Sequence, residues 1–194
     1  MKKVGLFFGS FNPIHVGHLI IANHLVEHTE LDEVWFVVSP QNPDKQKASM
    51  LGDYHRLALV RLAIEDNPKF KASNVEFDLP KPSYTIRTLV ELSEQHPSFE
   101  FALIMGEDNL RSLHKWKSHQ EIVQNHHVYV YPRINQEKKP EGIYANHPSI
   151  TYVDAPVMKI SASHIRKCIK DSKSVEYMLT EPVYQYVEEM HFYK

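Results

Sequence analysis

The sequence predicts an α/β protein with a doubly wound, mainly parallel sheet and helices on both faces. Short apolar runs at Val4–Ser10, Glu33–Ser39 and Phe99–Met105 have the length and the aromatic or β-branched content of buried strands. Segments of helical length and spacing alternate with them, among them His18–Thr29 and Thr85–His96. Because strands that alternate with helices form parallel sheets covered on both faces, this pattern indicates the doubly wound architecture.

The remaining elements continue this alternation. We expect Asp53 to cap a helix that runs to Asn67, with Leu57, Val60 and Ile64 on one face. Three further strands and two further helices are predicted at 74–78 (the weakest strand), 127–131, 149–154, 161–171 and 181–190. In such a sheet, ligands bind at the carboxyl ends of the strands, so loops distant in sequence are expected to line one crevice.

The chain is predicted to form a single domain over residues 1–194, with a helical C-terminal portion from about residue 161. The sequence contains neither an internal repeat nor a linker. Two polar segments are predicted as loops, Gln41–Leu51 and Arg133–Gly142, and we expect the second to be the most mobile part of the chain.

Composition favours a cytoplasmic protein that binds neither nucleic acid nor membrane. The net charge of -2 leaves no broad basic surface for a polyanion, although a local phosphate site needs only a few donors. The single cysteine, Cys168, excludes an internal disulfide and fits a reducing compartment. The first apolar run stops at Gly9, too short for a signal peptide, and no run reaches the ~20 residues of a membrane span.

The segment GSFNPIHVGH, residues 9–18, is the first candidate site. Gly9 and Ser10 allow the backbone to approach a ligand, and Gly17 leads into a helix whose N-terminus attracts anions. His15 and His18 are three residues apart and are expected to face the same phosphate. Imidazoles can donate hydrogen bonds to phosphoryl oxygens as charge develops there. Two imidazoles alone are too few ligands for zinc.

The segment KISASHIRK, residues 159–167, is the second candidate site. We expect Ser161 to be the N-cap of a helix, with Ser163 in its first turn and Arg166 one turn further on. Two hydroxyls, free N–H groups and a guanidinium together predict an oligophosphate site.

Together these segments resemble the nucleotidyltransferase superfamily with the H-x-G-H signature, and within it the bacterial nicotinate-nucleotide adenylyltransferases. The resemblance covers nearly the whole chain, because further family segments follow in order: SPQNPDKQK, YHR, PSYT, MGEDNL, KWK, YPR and ISASHIR. It implies a Rossmann-like nucleotidyltransferase fold. It also implies transfer of AMP from ATP to nicotinate mononucleotide, giving nicotinate adenine dinucleotide and pyrophosphate, a step of NAD biosynthesis. Mg²⁺ is expected on the triphosphate, bound mainly by ATP and water, with no protein metal site.

The resemblance also assigns residues to the two substrates. Catalysis is assigned to His15, His18 and Arg166. The residues expected to bind ATP are Gly9, Ser10, Phe11, His15, His18, Ser161, Ser163 and Arg166. The residues expected to bind the mononucleotide are Lys45, Tyr84, Thr85, Gly106, Asp108, Trp116 and Arg133.

Within the second set, Trp116 resembles the tryptophan that stacks on the pyridine ring, and Tyr84 and Thr85 resemble the segment that receives its carboxylate. Asp108 resembles a ribose or phosphate-side ligand, and Arg133 an arginine near the phosphates.

The second loop departs from the family pattern. Many bacterial relatives have Pro-His-Lys where this chain has Pro43-Asp44-Lys45-Gln46-Lys47, so the phosphate lysine is Lys45 or Lys47. Arg56 is expected to be structural and to brace this loop. His24 and His28, four residues apart on a helix, are expected to occupy surface positions.

Three alternatives remain open from the sequence. A sister adenylyl- or cytidylyltransferase would use the same H-x-G-H chemistry with nicotinamide mononucleotide or phosphopantetheine as acceptor, although PSYT, Trp116 and the length favour the pyridine substrate. A non-catalytic nucleotide sensor is expected to lack a phosphate histidine or the arginine, both of which are present here. The 13 histidines leave a metal-binding protein as the third alternative. The sequence does not indicate an oligomeric state.

Overall fold

A computed structural model describes residues 1–40, 50–132 and 142–194, and it confirms the predicted doubly wound fold. Its six strands are all parallel and form one sheet in the order β3-β2-β1-β4-β5-β6. The strands are β1 (Lys2–Gly9), β2 (Glu33–Val38), β3 (Phe70–Ser73), β4 (Phe99–Gly106), β5 (Val128–Tyr131) and β6 (Ile150–Tyr152). The helices are α1 (Val16–His28), α2 (Asp53–Ile64), α3 (Thr85–Gln95), α4 (Glu107–Ser112), α5 (His119–Asn125), α6 (Ala162–Lys170) and α7 (Glu181–Glu189).

Two hydrophobic layers cover the two faces of the sheet. Side chains alternate along each strand, so that Phe7 joins the layer beneath α1, α2, α6 and α7, while Leu6 joins the layer beneath α3, α4 and α5. Both residues are nearly or fully buried, as are Phe36 and Leu103 on neighbouring strands. Each such side chain contributes roughly 1.5–3 kcal/mol relative to exposure, and these layers hold the carboxyl ends of the strands in place.

Two of the predicted elements are wrong in detail. The predicted strand at 74–78 is replaced by a short 3-10 helix at Val75–Phe77, and the strand lies earlier, at Phe70–Ser73. The alternation of apolar and polar residues around Glu76 is misleading because this carboxyl group is itself buried rather than facing solvent. Asp53 is not a cap: Gly52 occupies that position, and Asp53 is the first residue of α2.

Other predicted elements are correct to within a few residues, and some elements were not predicted. Helix α1 begins at Val16 rather than His18. The predicted cap at Ser161 is confirmed. The short helices α4 and α5 were missed because six or seven residues are too few to display a helical period. The loop predicted at Gln41–Leu51 and the one at Arg133–Gly142 lie almost wholly outside the described residues, and so do Lys45, Lys47 and Arg133.

The strand order reverses between β1 and β4, the two central strands of the sheet. Chain connections leave these strands toward opposite sides, so a crevice opens at their carboxyl ends. Gly9 ends β1 and Gly106 ends β4 at this edge. Among the described helices, none has both the length and the apolar character needed to cross a membrane.

Candidate active site

His15 and His18 lie together where α1 begins. His15 is the N-cap of α1 and His18 is the third residue of the helix. Their rings are stacked, with centroids 3.8 Å apart and planes 26° apart. The backbone N–H of His15 donates to Nδ1 of His18 at 3.2 Å. Neutral His18 therefore carries its proton on Nε2, which leaves that atom as a hydrogen-bond donor.

The loop before α1 places Phe11 beneath His18. Phe11 is 2% exposed, its φ of 44° lies in the left-handed region, and its ring meets the His18 ring edge-on at 5.1 Å. A Cβ at Gly9 would lie 2.8 Å from the Phe11 ring, which explains the glycine at that position. Phe11 was expected to bind ATP; its buried side chain supports His18, so a contact with a ligand would have to use its backbone.

Gly17 allows the two motifs to approach each other. A Cβ at Gly17 would lie 2.6 Å from Cγ2 of Ile160, which precedes α6, and 3.1 Å from Nδ1 of His15. Real Cβ atoms essentially never approach other atoms as closely as 2.6 Å. The glycine of H-x-G-H is therefore required by the packing of Ile160 against the first loop.

Arg166 joins the two motifs directly. One terminal nitrogen of its guanidinium donates to the carbonyl of Asn12 at 2.7 Å, across 154 residues of sequence. The other donates to Oγ of Ser163 at 3.2 Å. Ser161 caps α6, and its Oγ accepts a hydrogen bond from the backbone N–H of His164 at 3.2 Å. The structure thus brings His15, His18, Ser161, Ser163 and Arg166 to one end of the crevice.

A cavity of about 620 Å³ opens beside the stacked histidines. Its wall combines imidazoles, the start of α6 and an apolar strip that follows β6. The lining residues are His15, Gly17, His18, Ile21, Tyr131, Pro132, Ala155, Pro156, Val157, Met158, Lys159, Ile160, Ser161, Ala162 and His164. An apolar slot with a few polar groups at one end has the character of a small-ligand site, and its size suits a nucleoside.

Arg56 has a structural role, as expected: it contacts the backbone on either side of the second loop, at Ser39 and Leu51, and it also contacts the first loop at Ser10. Its side chain is fully buried. The guanidinium donates to the carbonyls of Ser10 at 2.6 Å, Ser39 at 2.9 Å and Leu51 at 3.1 Å. It also forms an ion pair of 2.6 Å with Asp53. The ends of β1 and β2 are therefore tied together by one cation.

Tyr193 supports the same loop and was missed by the sequence analysis. Its hydroxyl donates to Oδ1 of Asn12 at 2.7 Å, and that oxygen also accepts from the backbone N–H of Leu51 at 3.2 Å. Burial raises the pKa of the Tyr193 phenol above its ordinary value, against the opposing effect of Arg166 and Arg56. The group therefore remains a proton donor. A tyrosine next to the last residue of the chain carries no sequence signal for this role.

Among the residues expected to bind the mononucleotide, those that the structure describes lie at the carboxyl end of β4 or on the opposite face of the sheet. Tyr84 is the N-cap of α3 and Thr85 is its first residue. Gly106 ends β4, and Asp108 is exposed in the first turn of α4. Trp116 is half-buried and packs, like Tyr84, against the hydrophobic layer beneath α3. A half-buried tryptophan retains ring surface for stacking, which a core tryptophan would not.

Glu76 is a buried carboxyl group near the end of β2 that the sequence analysis missed. It is 2% exposed, and Oγ1 of Thr88 donates to its Oε1 at 2.8 Å. Burial raises its pKa above the ordinary value of 4.5, although hydrogen bonds from Thr88 and Ser39 oppose the shift. Its position, joining α3 to the end of β2, gives it a structural role at the rim of the crevice.

His24 and His28 lie away from this site. Their ring centroids are 4.4 Å apart, and both line a separate cavity of about 510 Å³ with Glu100, His127 and others. His28 is exposed as expected, and His24 is half-buried. Burial, followed by the neighbouring His28, lowers the pKa of His24. Over residues 1–40, 50–132 and 142–194, no three His, Cys, Asp or Glu side chains are grouped to hold a metal ion.

Comparisons with known proteins identify relatives of this chain. Residues 6–168 match a family model described as cytidylyltransferase-like. A probable nicotinate-nucleotide adenylyltransferase of Flavobacterium psychrophilum is 53% identical over 192 residues, which is 99% of both chains. One of the same name from Christiangramia forsetii is 53% identical over 193 residues, covering 100% of this chain and 99% of the relative.

Solved structures share the fold. The nicotinic acid mononucleotide adenylyltransferase of Plasmodium falciparum, solved in complex with NaAD, superposes with a TM-score of 0.82. The match covers 100% of this chain and 98% of that one at 17% sequence identity.

Proposed function

The chain belongs to the cytidylyltransferase-like family, and from that membership we propose that it transfers AMP from ATP to nicotinate mononucleotide. The products are nicotinate adenine dinucleotide and pyrophosphate. The observation that carries the proposal is the hydrogen bond from Arg166 to Asn12. This bond brings the stacked histidines and the N-terminus of α6 to one side of a nucleoside-sized cavity. The curated relatives, about half identical along the whole chain, support the choice of acceptor.

The proposed reaction is a direct in-line displacement at phosphorus. A phosphate oxygen of the mononucleotide attacks the α-phosphorus of ATP, and a new P–O bond forms. The bond between the α-phosphorus and the bridging oxygen breaks, and its electron pair leaves with pyrophosphate. A phosphate monoester is largely ionised at pH 7, so no general base is required. Catalysis then consists of positioning the two phosphates and stabilising the charge on the equatorial oxygens.

The described side chains supply this stabilisation from two directions. His18 donates from Nε2, because its Nδ1 is occupied by the backbone of His15. His15, stacked on it and buried, fixes the orientation of the ring. Arg166 and the first turn of α6 supply positive charge and N–H donors for the departing phosphates. Donors preorganised in this way lower the barrier without forming a covalent bond.

The acceptor is proposed to lie across the crevice, against α3 and Trp116. The indole of Trp116 stacks on the pyridine ring, while the start of α3 at Tyr84 and Thr85 presents donors to the carboxylate. Asp108, after Gly106, is proposed to contact the ribose or the phosphate side. Lys45 or Lys47, and Arg133, are proposed as phosphate ligands on resemblance alone, because these residues lie outside the described part of the chain.

Mg²⁺ is proposed to enter on the triphosphate of ATP, bound by phosphate oxygens and water, which suits an ion that gives up its water reluctantly. Its chemistry there is to neutralise charge on the leaving pyrophosphate. The protein groups nearest the proposed phosphate site are donors rather than carboxylates, which fits an ion carried by the nucleotide. We also propose that the protein acts in the cytoplasm, where its single cysteine remains reduced.

A pyrophosphate-release assay with ATP and a panel of acceptors tests the proposal. The panel comprises nicotinate mononucleotide, nicotinamide mononucleotide and phosphopantetheine, and chromatography identifies the dinucleotide formed. We expect the nicotinate form to be preferred over the nicotinamide form by at least ~100-fold in kcat/KM, about 3 kcal/mol. A ratio near one, or faster turnover with phosphopantetheine, would assign the protein to a sister activity. ATP binding without turnover of any acceptor would indicate a nucleotide sensor.

A further inference from the structure

Two cations flank the ring of Tyr84 at the proposed acceptor end of the crevice. Nζ of Lys117 lies 4.7 Å from the ring centroid, and the guanidinium carbon of Arg87 lies 5.3 Å from it. The two come from different segments: Arg87 is in the first turn of α3, and Lys117 directly follows Trp116. One tyrosine ring therefore joins the two segments proposed to bind the pyridine ring.

These two cations are not in ion pairs with carboxylates of the described residues. Among the described residues, neither Arg87 nor Lys117 forms an ion pair, whereas Lys2, Lys3, Lys69 and others elsewhere do. The first turn of α3 contains no acidic residue, and its N-cap makes no side-chain hydrogen bond. The positive end of the helix and the two cations thus act in the same direction.

We propose that Lys117 and Arg87 are specificity-determining residues that favour an acceptor carrying a ring carboxylate over one carrying a neutral amide. This inference rests on the proposed function. Neither side chain needs to touch the substrate, because the aromatic face of Tyr84 holds each cation near the proposed site of the acceptor's pyridine ring. Their field stabilises a negative charge there and leaves a neutral amide unaffected. Trp116 supplies stacking that both acceptors share, so affinity and charge selection come from different residues.

The size of the effect follows from the exposure of both cations. An exposed charge interaction is worth about 1 kcal/mol or less, which corresponds to at most about fivefold in a rate ratio. We therefore expect each cation to contribute roughly threefold to fivefold to the preference for nicotinate mononucleotide, and both together roughly 10- to 25-fold. The contribution falls with added salt, since the screening length is only about 10 Å at 0.1 M ionic strength.

Kinetics on Lys117→Gln, Arg87→Gln and the double variant test this inference. The measured quantity is the ratio of kcat/KM for nicotinate mononucleotide to that for nicotinamide mononucleotide, at low and at high salt. We expect the ratio to fall in each variant and most in the double variant, through the nicotinate form alone. The wild-type ratio should decline with salt more steeply than the ratio of the double variant, which retains only the weaker contribution of the α3 N-terminus. Lys117→Arg should retain the wild-type ratio and its salt dependence.

Lys170→Gln is the matched control, because Lys170 is exposed at the end of α6 and its removal changes the net charge equally. Its ratio should equal that of the wild type. An unchanged ratio and salt dependence in the double variant would overturn the assignment of these two cations while leaving the proposed function intact. Failure of the wild type to transfer AMP to either pyridine mononucleotide would overturn both.

Discussion

Replacing Arg56 by Met should destabilise the protein by about 4 kcal/mol, because breaking a buried, hydrogen-bonded charge cluster typically costs about 3–5 kcal/mol. The side chain is fully buried and its guanidinium donates to three carbonyls, those of Ser10, Ser39 and Leu51. Methionine fills much of the same space but leaves these oxygens without their charged donor. The ion pair with Asp53 adds less, because that carboxyl group is 23% exposed.

Urea unfolding measures this loss as a lower midpoint at unchanged slope, and thermal unfolding as a fall in Tm of about 8–16 °C. The KM for ATP should also rise, since Ser10 begins the loop that leads to His15 and His18 at the start of α1. Arg61→Met is the matched control, because Arg61 is an exposed residue of the same helix. This variant should change the free energy of unfolding by no more than about 0.5 kcal/mol. A loss below about 1 kcal/mol in Arg56→Met would refute the reasoning from buried hydrogen bonds.

Three further variants probe the site and its rim. His18→Ala should lower kcat by about a hundredfold or more, roughly 3 kcal/mol, with folding nearly unaffected. The control His28→Ala, on the same helix, should retain wild-type turnover. Near-normal turnover in His18→Ala would remove His18 from the mechanism. Arg166→Lys keeps the charge, but a single amine cannot reproduce the fork that contacts Asn12 and Ser163, so ATP binding should weaken and turnover slow while mononucleotide binding stays the same. A fall in mononucleotide affinity alone would reverse the assignment of the two ends of the crevice. For Glu76→Gln, urea titrations should show the stability of the variant rising relative to the wild type as pH increases above about 4.5. The reason is that the raised pKa makes the folded wild type bind the Glu76 proton more tightly than the unfolded chain does. The wild type therefore loses this stabilisation as the proton is removed at higher pH, and the variant does not. A stability difference that is independent of pH would show that Glu76 ionises in the folded protein as easily as in the unfolded chain.

The sheet was predictable because hydrophobic runs and their spacing are local properties of the sequence. Val4–Ser10 and Phe99–Met105 fall within a residue or two of β1 and β4, since each run has a buried centre and ends at a glycine. The capping role of Ser161 was equally local. The 3-10 helix at Val75–Phe77 could not be predicted from local sequence, because its conformation follows from the burial of Glu76 against Thr88, twelve residues away.

The residue types of the site could be predicted from the sequence, but the tertiary contacts that position them could not. H-x-G-H and ISASHIR identified His15, His18 and Arg166, yet nothing in the sequence indicated that Arg166 contacts Asn12. Tyr193 and the pairing of Lys117 with Tyr84 were likewise invisible, since each depends on a tertiary contact between distant segments. Gly17 is the intermediate case: its place in the motif was evident, but its reason, the approach of Ile160, required the fold.

Exchange of labelled pyrophosphate into ATP, measured without any acceptor, tests most directly whether the histidines stabilise charge or act as nucleophiles. Direct transfer requires the mononucleotide phosphate as the attacking group, so no exchange should occur until that acceptor is added. With nicotinate mononucleotide present, exchange should appear together with the dinucleotide. Exchange at a rate comparable to kcat in the absence of acceptor would demonstrate an adenylylated enzyme, and it would contradict the role proposed here for His15 and His18.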